Sequence, residues 1–204
     1  VVGRPLGEFY INRYAGVNPA NGDPLWYDKE GNLTTEFRES DKVMVGKNYL
    51  APWQGGFGTT LTWKGISVNA QFSWVADRWM FNNDRFFEES NGLYTGFKRL
   101  LYDRWKKPGD VTDIPRWGVT PQMDSRFLED ASFLRLKNLM ISYTFPQEWM
   151  KKTNFFTNAR IYAQGQNLLT FTKFSGLDPE AFTNMYQAQY PMSRQYSFGL
   201  ELSF

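Results

Sequence analysis

Apolar and polar residues alternate along several stretches of the chain, and the alternation is clearest at its end. Tyr196, Phe198, Leu200, Leu202 and Phe204 are interleaved there with single polar residues or glycine. Because successive side chains of a β-strand point to opposite faces, this pattern predicts a strand with one apolar face. The same period recurs upstream, which indicates an all-β fold.

Further stretches are expected to form antiparallel strands, for a total of about six. They cover residues 159–172, 133–145, 66–74, 57–64 and, less regularly, 6–14. The Lys64-Gly65 pair between two of them predicts a tight hairpin turn, and Pro146 should end the strand before it by removing a ladder donor. Outside the long strands, a short strand is predicted over Leu25–Tyr27 and a helix over Thr95–Trp105, where Thr95 can act as the N-cap.

The positions of charged residues indicate the environment of the two faces of these strands. Four windows, 48–63, 65–76, 138–147 and 161–172, contain no charged residue, although 22% of the chain is charged. A soluble sandwich normally carries Lys and Glu on its outer face. Here one face is Ser, Thr, Asn and Gln, which suits a water-filled lumen, and the other lacks the charges that cost about 2–4 kcal/mol in hydrocarbon. The pattern therefore favours a transmembrane β-barrel.

Strand alternation assigns individual side chains to the two environments. The predicted lumen-facing set is Ser67, Asn69, Gln71, Ser73, Ser142, Thr144, Gln164, Gln166, Ser197 and Glu201. The predicted lipid-facing set is Ile66, Val68, Phe72, Trp74, Leu139, Ile141, Tyr143, Tyr196, Phe198, Leu200 and Leu202. We expect a lysine at Ile141 or Phe198 to block membrane assembly, and Ser142→Lys and Ser197→Lys to be tolerated.

Short and long connections alternate between the strands, as in outer-membrane barrels. The long segments, 16–53, 80–131 and 173–193, should lie on one side. Their aromatic residues are candidates for contact with a substrate or partner, because rings supply large contact areas at low entropic cost. The candidates are Trp26, Trp53, Trp79, Phe86, Phe87, Tyr94, Trp105, Trp117, Tyr186 and Tyr190. Packing of the loops over the strands is the alternative for each ring.

Composition removes other classes of function. The chain has no Cys and no His, which excludes disulfides, Cys/His zinc sites and Ser-His or Cys-His nucleophiles. A net charge of +2 without a basic stripe argues against nucleic acid as a partner. Apolar runs never exceed three residues, which excludes a transmembrane helix. We therefore expect no enzyme, no cofactor and no catalytic carboxylate pair; the oxygen-rich turns at 18–23 and 28–32 leave a bound cation as an alternative to plain turns.

The second half of the chain also carries longer motifs. They are Ser132–Pro146, Arg160–Glu180 with its Asn167-Leu-Leu-Thr and Asp178-Pro-Glu elements, Tyr190-Pro191 and the closing strand. These motifs resemble the SusC/RagA-like TonB-dependent transporters of the Bacteroidetes outer membrane. Gly16-Val-Asn-Pro and Gly22-Asp-Pro extend the resemblance upstream.

The resemblance implies a position, a location and partners. Residues 1–204 would be the C-terminal portion of a 22-stranded barrel in the outer membrane, with the N-terminal plug and the earlier strands absent, and Phe204 would be the assembly signal. The implied function is import of a glycan or peptide, with a SusD-like surface lipoprotein as lid and TonB acting through the absent N-terminal part. Two alternatives stay open: a stand-alone small barrel with an adhesive or structural role, and a soluble carbohydrate-binding β-sandwich.

Overall fold

The computed structural model describes residues 2–90, 98–153 and 155–204. The chain divides into two compact units. We call Trp53–Ala76, Ser132–Thr172 and Pro191–Phe204 the sheet unit, and Val1–Pro52, Asp77–Ala131 and Lys173–Tyr190 the loop unit. The three long segments predicted as loops therefore contribute most of one folded unit.

The strands and α-helices of the described ranges follow in chain order. They are β1 Glu8–Ile11, β2 Arg13–Val17, β3 Pro24–Tyr27, β4 Leu33–Thr34, β5 Val43–Asn48, β6 Trp53–Trp63, β7 Ile66–Ala76, β8 Trp79–Asn82, α1 Asn83–Glu88, α2 Lys98–Asp103, β9 Leu128–Asp130, β10 Phe133–Thr144, α3 Gln147–Thr153, β11 Asn158–Thr172, β12 Met185–Tyr186 and β13 Gln195–Ser203. No helix in these ranges has the length and apolarity needed to cross a bilayer.

The sheet unit is one antiparallel sheet in the order β13-β11-β10-β7-β6. Its five strands correspond to the five regular stretches predicted from the sequence. The hairpin between β6 and β7 closes at Lys64 and Gly65, which have φ of 45° and 86°. Positive φ at both central residues is what a twist-matched two-residue hairpin turn requires, so the predicted turn is confirmed.

A β-bulge at Lys137 keeps the long central strand two-faced. The register of β10 shifts between Leu136 and Asn138 against both β7 and β11. In a regular strand without the bulge, Leu136 and Leu139 would point to opposite faces, because they are three positions apart. With it, Leu136 lies opposite Phe72, and Leu139 lies opposite Ala70, on one face.

The predicted sixth long strand, residues 6–14, is wrong. The segment breaks at Asn12 into β1, which pairs with β5, and β2, which pairs with β3. The Asn12 side chain is 1% exposed and donates a hydrogen bond to the Arg38 carbonyl at 2.7 Å. A buried amide needs such a partner, and the strand is interrupted where Asn12 makes this hydrogen bond. The predicted short strand Leu25–Tyr27 is present as β3.

The helix predicted over Thr95–Trp105 ends two residues earlier than expected. Helix α2 ends at Asp103, and Trp105 lies beyond it, where its backbone N–H donates to the Ile114 carbonyl. The predicted N-cap, Thr95, lies outside the described residues. The C-terminal end of the prediction is wrong because tertiary pairing with Ile114 replaces the next helical hydrogen bond.

The loop unit has its own hydrophobic core in two clusters. One consists of Ile11, Phe81, Phe127 and Leu128, and the other of Met80, Ala131, Phe174 and Tyr186. Strand β8 contributes Phe81 to the first cluster and Met80 to the second, since consecutive side chains of a strand point in opposite directions. Strand β12 pairs in parallel with β8 and places Tyr186 in the second cluster.

Candidate membrane and substrate surfaces

One face of the sheet unit is continuously apolar. Directly opposed residues of antiparallel strands share a face, and the register places Ile141 opposite both Val68 and Ala163, and Phe198 opposite Ala163. The same register puts the whole predicted lipid-facing set on this face. Large rings and branched chains are exposed there; Phe198 is 82% exposed and Ile141 is 48% exposed in this chain. We call this surface the apolar face.

The other face is polar, and its side chains bond to one another across the strands. Asn69 Nδ2 donates to Thr60 Oγ1 at 2.7 Å, and Gln164 Nε2 donates to Asn138 Oδ1 at 2.8 Å. The register places the whole predicted lumen-facing set on this side. Through such cross-strand bonds, uncharged side chains satisfy each other's donors and acceptors. The face therefore does not need the Lys and Glu residues that are common on a solvent-exposed sheet.

Arg160 is the charged group around which part of this polar face is organised. Its guanidinium donates to Ser142 Oγ at 3.1 Å and lies 3.4 Å from the Glu201 carboxylate. Ser142 is only 3% exposed. We therefore expect Ser142→Lys to be poorly tolerated, contrary to the expectation from the sequence, because the new ammonium would be packed against Arg160. Ser197, which is exposed, remains a suitable polar-face position.

Aromatic rings gather where β10, α3 and β11 are connected. Tyr143 contacts Phe145 at 5.1 Å between centroids, and Phe145 contacts Trp149 of α3 at 6.0 Å. In a second cluster, the Phe204 ring lies 5.2 Å from that of Phe155. Tyr and Trp at such ends are typical of the aromatic girdle of membrane barrels.

A largely shielded ion network holds the loop unit together. The Arg85 guanidinium contacts three carboxylates, those of Glu89 at 2.6 Å, Asp113 at 2.8 Å and Glu129 at 3.2 Å. Glu129 also accepts hydrogen bonds from the backbone N–H and the hydroxyl of Ser175, both at 2.9 Å. The network thus ties helix α1 to the segments around 113, 129 and 175, and its carboxylates serve as structural partners of arginine.

Asp124 is a second buried charge in this unit. Its carboxylate accepts from the Trp26 indole N–H at 2.8 Å and from the Arg126 backbone N–H at 2.9 Å. Burial raises the pKa of Asp124 above its ordinary value, and the Arg126 guanidinium and the Trp26 N–H oppose that rise. Burial also raises the pKa of the neighbouring Tyr14 phenol, which stays protonated and donates to the Asp113 carbonyl.

Arg78 anchors the segment after β11, a role that the sequence reasoning missed. The residue is 4% exposed, and its guanidinium donates to the Pro179 carbonyl at 3.2 Å and to the Ala181 carbonyl. Both acceptors belong to the stretch around the Asp178-Pro-Glu motif. An arginine two residues after a charge-free strand was the available signal, but its acceptors are about a hundred residues away along the chain.

The candidate aromatic residues separate into buried and exposed rings. Trp26 and Tyr186 are 5% and 0% exposed, so their prediction as contact surfaces is wrong. Trp79 and Phe86 pack against the first hydrophobic cluster, and the Trp105 indole donates to the Pro19 carbonyl at 3.0 Å. Packing accounts for these five rings.

Four candidates expose a large part of their rings. Phe87, Trp117 and Tyr190 of the loop unit are 41%, 48% and 99% exposed, and Trp53 of the sheet unit is 66% exposed. Trp53 begins β6 on the apolar face, whose register it shares with Phe57 and Leu61. Tyr94 lies outside the described residues. The loop unit therefore offers three exposed rings as contact candidates.

The oxygen-rich turns are occupied by their own hydrogen bonds. The Asp28 carboxylate accepts from the backbone N–H and the side-chain amide of Asn32, and Asn18 Oδ1 accepts from the Ala20 N–H. No group of three His, Cys, Asp or Glu side chains able to hold a metal ion occurs in the described part of the chain. The turn interpretation accounts for the hydrogen bonds of both segments.

Comparison with known proteins decides among the classes left open. No family model matches the chain. TonB-dependent receptor P3 of Formosa agariphila is 29% identical over 99% of this chain and 22% of its own length, and TonB-dependent receptor SusC of Bacteroides thetaiotaomicron is 28% identical over 100% and 20%. A solved structure described as the RagAB peptide transporter matches with a TM-score of 0.89 at 40% identity, over 97% of this chain and 22% of that chain. The chain belongs to the SusC/RagA-like TonB-dependent transporters.

Membership in the SusC/RagA-like family defines the surroundings of the sheet. These transporters are outer-membrane β-barrel proteins, so the sheet unit is part of a barrel wall and the chain belongs to the outer membrane. The soluble-sandwich alternative is therefore wrong. A small closed barrel needs about eight strands, whereas the sheet unit has five. The chain spans about a fifth of the length of the relatives that it matches.

Proposed function

We propose that this chain is the C-terminal portion of a transporter that imports a large nutrient across the outer membrane with energy supplied through TonB. The observation that carries the proposal is the two-faced sheet, charge-free on its apolar face and hydrogen-bonded on its polar face, in a chain that aligns with SusC/RagA-like transporters over nearly its whole length. In this proposal the apolar face contacts lipid, and the polar face lines the lumen.

The proposed orientation follows from the connections. Short turns of outer-membrane barrels are periplasmic and long loops are extracellular. The Lys64-Gly65 turn and the α3 connection then face the periplasm, where Phe204 would serve as the assembly signal. The loop unit faces outward, where a SusD-like lipoprotein would close over the cargo.

For the cargo we propose peptides rather than glycans. The solved RagAB structure at 40% identity is described as a peptide transporter. Exposed Phe87, Trp117 and Tyr190 suit an extended, chemically varied cargo, because aromatic faces bind without demanding a particular hydrogen-bond pattern. Enzymatic activity is not part of the proposal, since the relatives are named as receptors and transporters.

The test is uptake by cells expressing the full-length transporter with its lipoprotein. Labelled peptide mixtures and labelled oligosaccharide mixtures are supplied in parallel, with and without an uncoupler that collapses the proton gradient. Uptake of peptides that stops with the uncoupler is the expected result. Uncoupler-resistant entry would overturn active import, and energised entry of oligosaccharides alone would overturn the peptide assignment.

A further inference from the structure

A groove of about 600 Å³ crosses the apolar face of the sheet unit. Its apolar lining includes Ile66, Ile141, Ile161, Ala163 and Phe198, from four adjacent strands. The register explains the depression, because the single methyl group of Ala163 lies directly between the larger side chains of Ile141 and Phe198. The volume is within the range of about 300–1,000 Å³ that is typical of small-molecule sites.

The groove leads toward an aromatic and basic end. Tyr143, which also lines it, contacts Phe145, and Phe145 contacts Trp149 of α3. Trp149 is 55% exposed. Lys152 follows it by three residues and therefore lies on the same side of the helix; Lys151 and Lys152 are both exposed in the last turn.

We propose that this groove seats an acyl chain of an anionic phospholipid, with the lipid phosphate at Lys152 and Lys151. In an outer-membrane barrel the apolar face contacts hydrocarbon, so the occupant of an apolar groove on it is an acyl chain. The α3 connection adjoins the periplasmic leaflet in the orientation proposed above, on which this inference rests. Two lysines against the single carboxylate of Glu148 give α3 a positive charge, which selects an anionic headgroup.

The arrangement resembles the order of groups in a phospholipid. Branched aliphatic chains contact the hydrocarbon, Tyr143 and Trp149 occupy the interfacial depth that amphipathic rings prefer, and the ammonium groups lie beyond them. An acyl chain should stay bound in a packed groove for a longer time than on a flat barrel surface, because each methylene gains contacts on several sides.

The experiment uses the full-length transporter purified in mild detergent and incubated with phosphatidylglycerol or phosphatidylcholine, and native mass spectrometry counts the bound lipid. We expect phosphatidylglycerol to be retained in preference to phosphatidylcholine. Ala163→Leu fills the groove and should weaken phosphatidylglycerol binding about tenfold. Ala70→Leu, at an equally half-buried alanine of the apolar face outside the groove, is the matched control and should bind as the wild type does.

Lys152→Gln tests the headgroup end and should weaken phosphatidylglycerol binding about fivefold, whereas Lys29→Gln in the loop unit should not. Each variant is first shown to be assembled by its migration on unheated gels; should Ala163→Leu not assemble, the lysine pair still decides. Equal lipid retention by Lys152→Gln and Lys29→Gln, or by assembled Ala163→Leu and Ala70→Leu, would overturn the lipid site. Energised uptake, measured on the same variants, should be unchanged; its absence in the wild type would count against the proposed function alone.

Discussion

At the scale of single residues, neighbouring positions on one strand face different solvents. Phe198 and Ser197 are adjacent on β13, yet the first belongs to the apolar face and the second to the polar face. Their environments, more than their secondary structure, decide what each position accepts.

Phe198→Lys should prevent assembly of the transporter in the outer membrane, because a lysine on the lipid face costs about 2–4 kcal/mol near the bilayer midplane. Ser197→Lys should assemble normally, since its side chain points into the proposed lumen and is exposed. The measurement is the fraction of folded barrel in outer-membrane preparations, read from its migration on unheated gels. Equal yields of the two variants would show that this sheet does not separate lipid from water.

A second residue-scale effect concerns Asp124. Its pKa is raised by burial, so the folded state holds the proton more tightly than the unfolded state does. Protonation therefore adds stability as the pH falls through the folded pKa toward the ordinary value, and that contribution is lost as the pH rises again. The groups that face the carboxylate are Arg126, Trp26 and, through its charge, Glu89.

We expect the stability difference between wild type and Asp124→Asn to shift in favour of the wild type between neutral and mildly acidic pH. The asparagine cannot titrate, so subtracting its profile cancels every pH dependence that the two proteins share. Hydrogen exchange of the backbone around residues 124–128 in the full-length transporter reports this difference. Parallel pH profiles for the two proteins would contradict the assignment.

At the scale of elements, the bulge in β10 is the feature that combines two incompatible alternations. Leu134 and Leu136 lie opposite Trp74 and Phe72 on the apolar face, while Arg135 lies opposite Ser73 on the polar face. Beyond Lys137 the apolar positions change from even to odd numbers. One extra residue therefore lets a single strand span the wall with its faces intact.

Deletion of Lys137 should leave assembly largely intact, because it removes the extra residue and places Leu136 and Leu139 two positions apart, on one face of a regular strand. Deletion of Met140, which is paired regularly on both sides, should abolish assembly, because it makes Leu139 and Ile141 neighbours and turns one of them toward the lumen. Folded-barrel yield from membranes is compared for the two variants. Equal yields would mean that the register of β10 is set elsewhere.

At the scale of the whole molecule, the two units have different roles in the function that we propose. The sheet unit forms part of the barrel wall. The loop unit forms an ordered surface that the Arg85 network and the Arg78 anchor stabilise. Because Arg85 and Arg78 are paired with several distant groups, the rings that remain exposed on the loop unit are held on a defined surface.

Trp117→Ala and Tyr190→Ala should weaken binding of cargo or lipoprotein by about 5- to 30-fold, the effect of removing an aromatic anchor from an interface. Trp63→Ala, an exposed tryptophan in the hairpin that we place on the periplasmic side, is the control and should leave binding unchanged. Titration of the full-length transporter with peptide, with and without the lipoprotein, separates the two partners. Wild-type affinities for both in the loop variants would leave these rings with a packing role.

The sequence by itself determined the features that depend on near neighbours. The period-2 alternation assigned the two faces, and the Lys64-Gly65 pair placed the hairpin, because strand direction and turn conformation are set within a few residues. Tertiary structure alone decided that Trp26 and Tyr186 are buried, that the segment 6–14 breaks at Asn12, and that Arg78 and Arg85 are anchors. Each of those outcomes depends on a partner tens of residues away, such as Asp124, Pro179 or Glu129, and no local pattern encodes which distant groups a folded loop brings together.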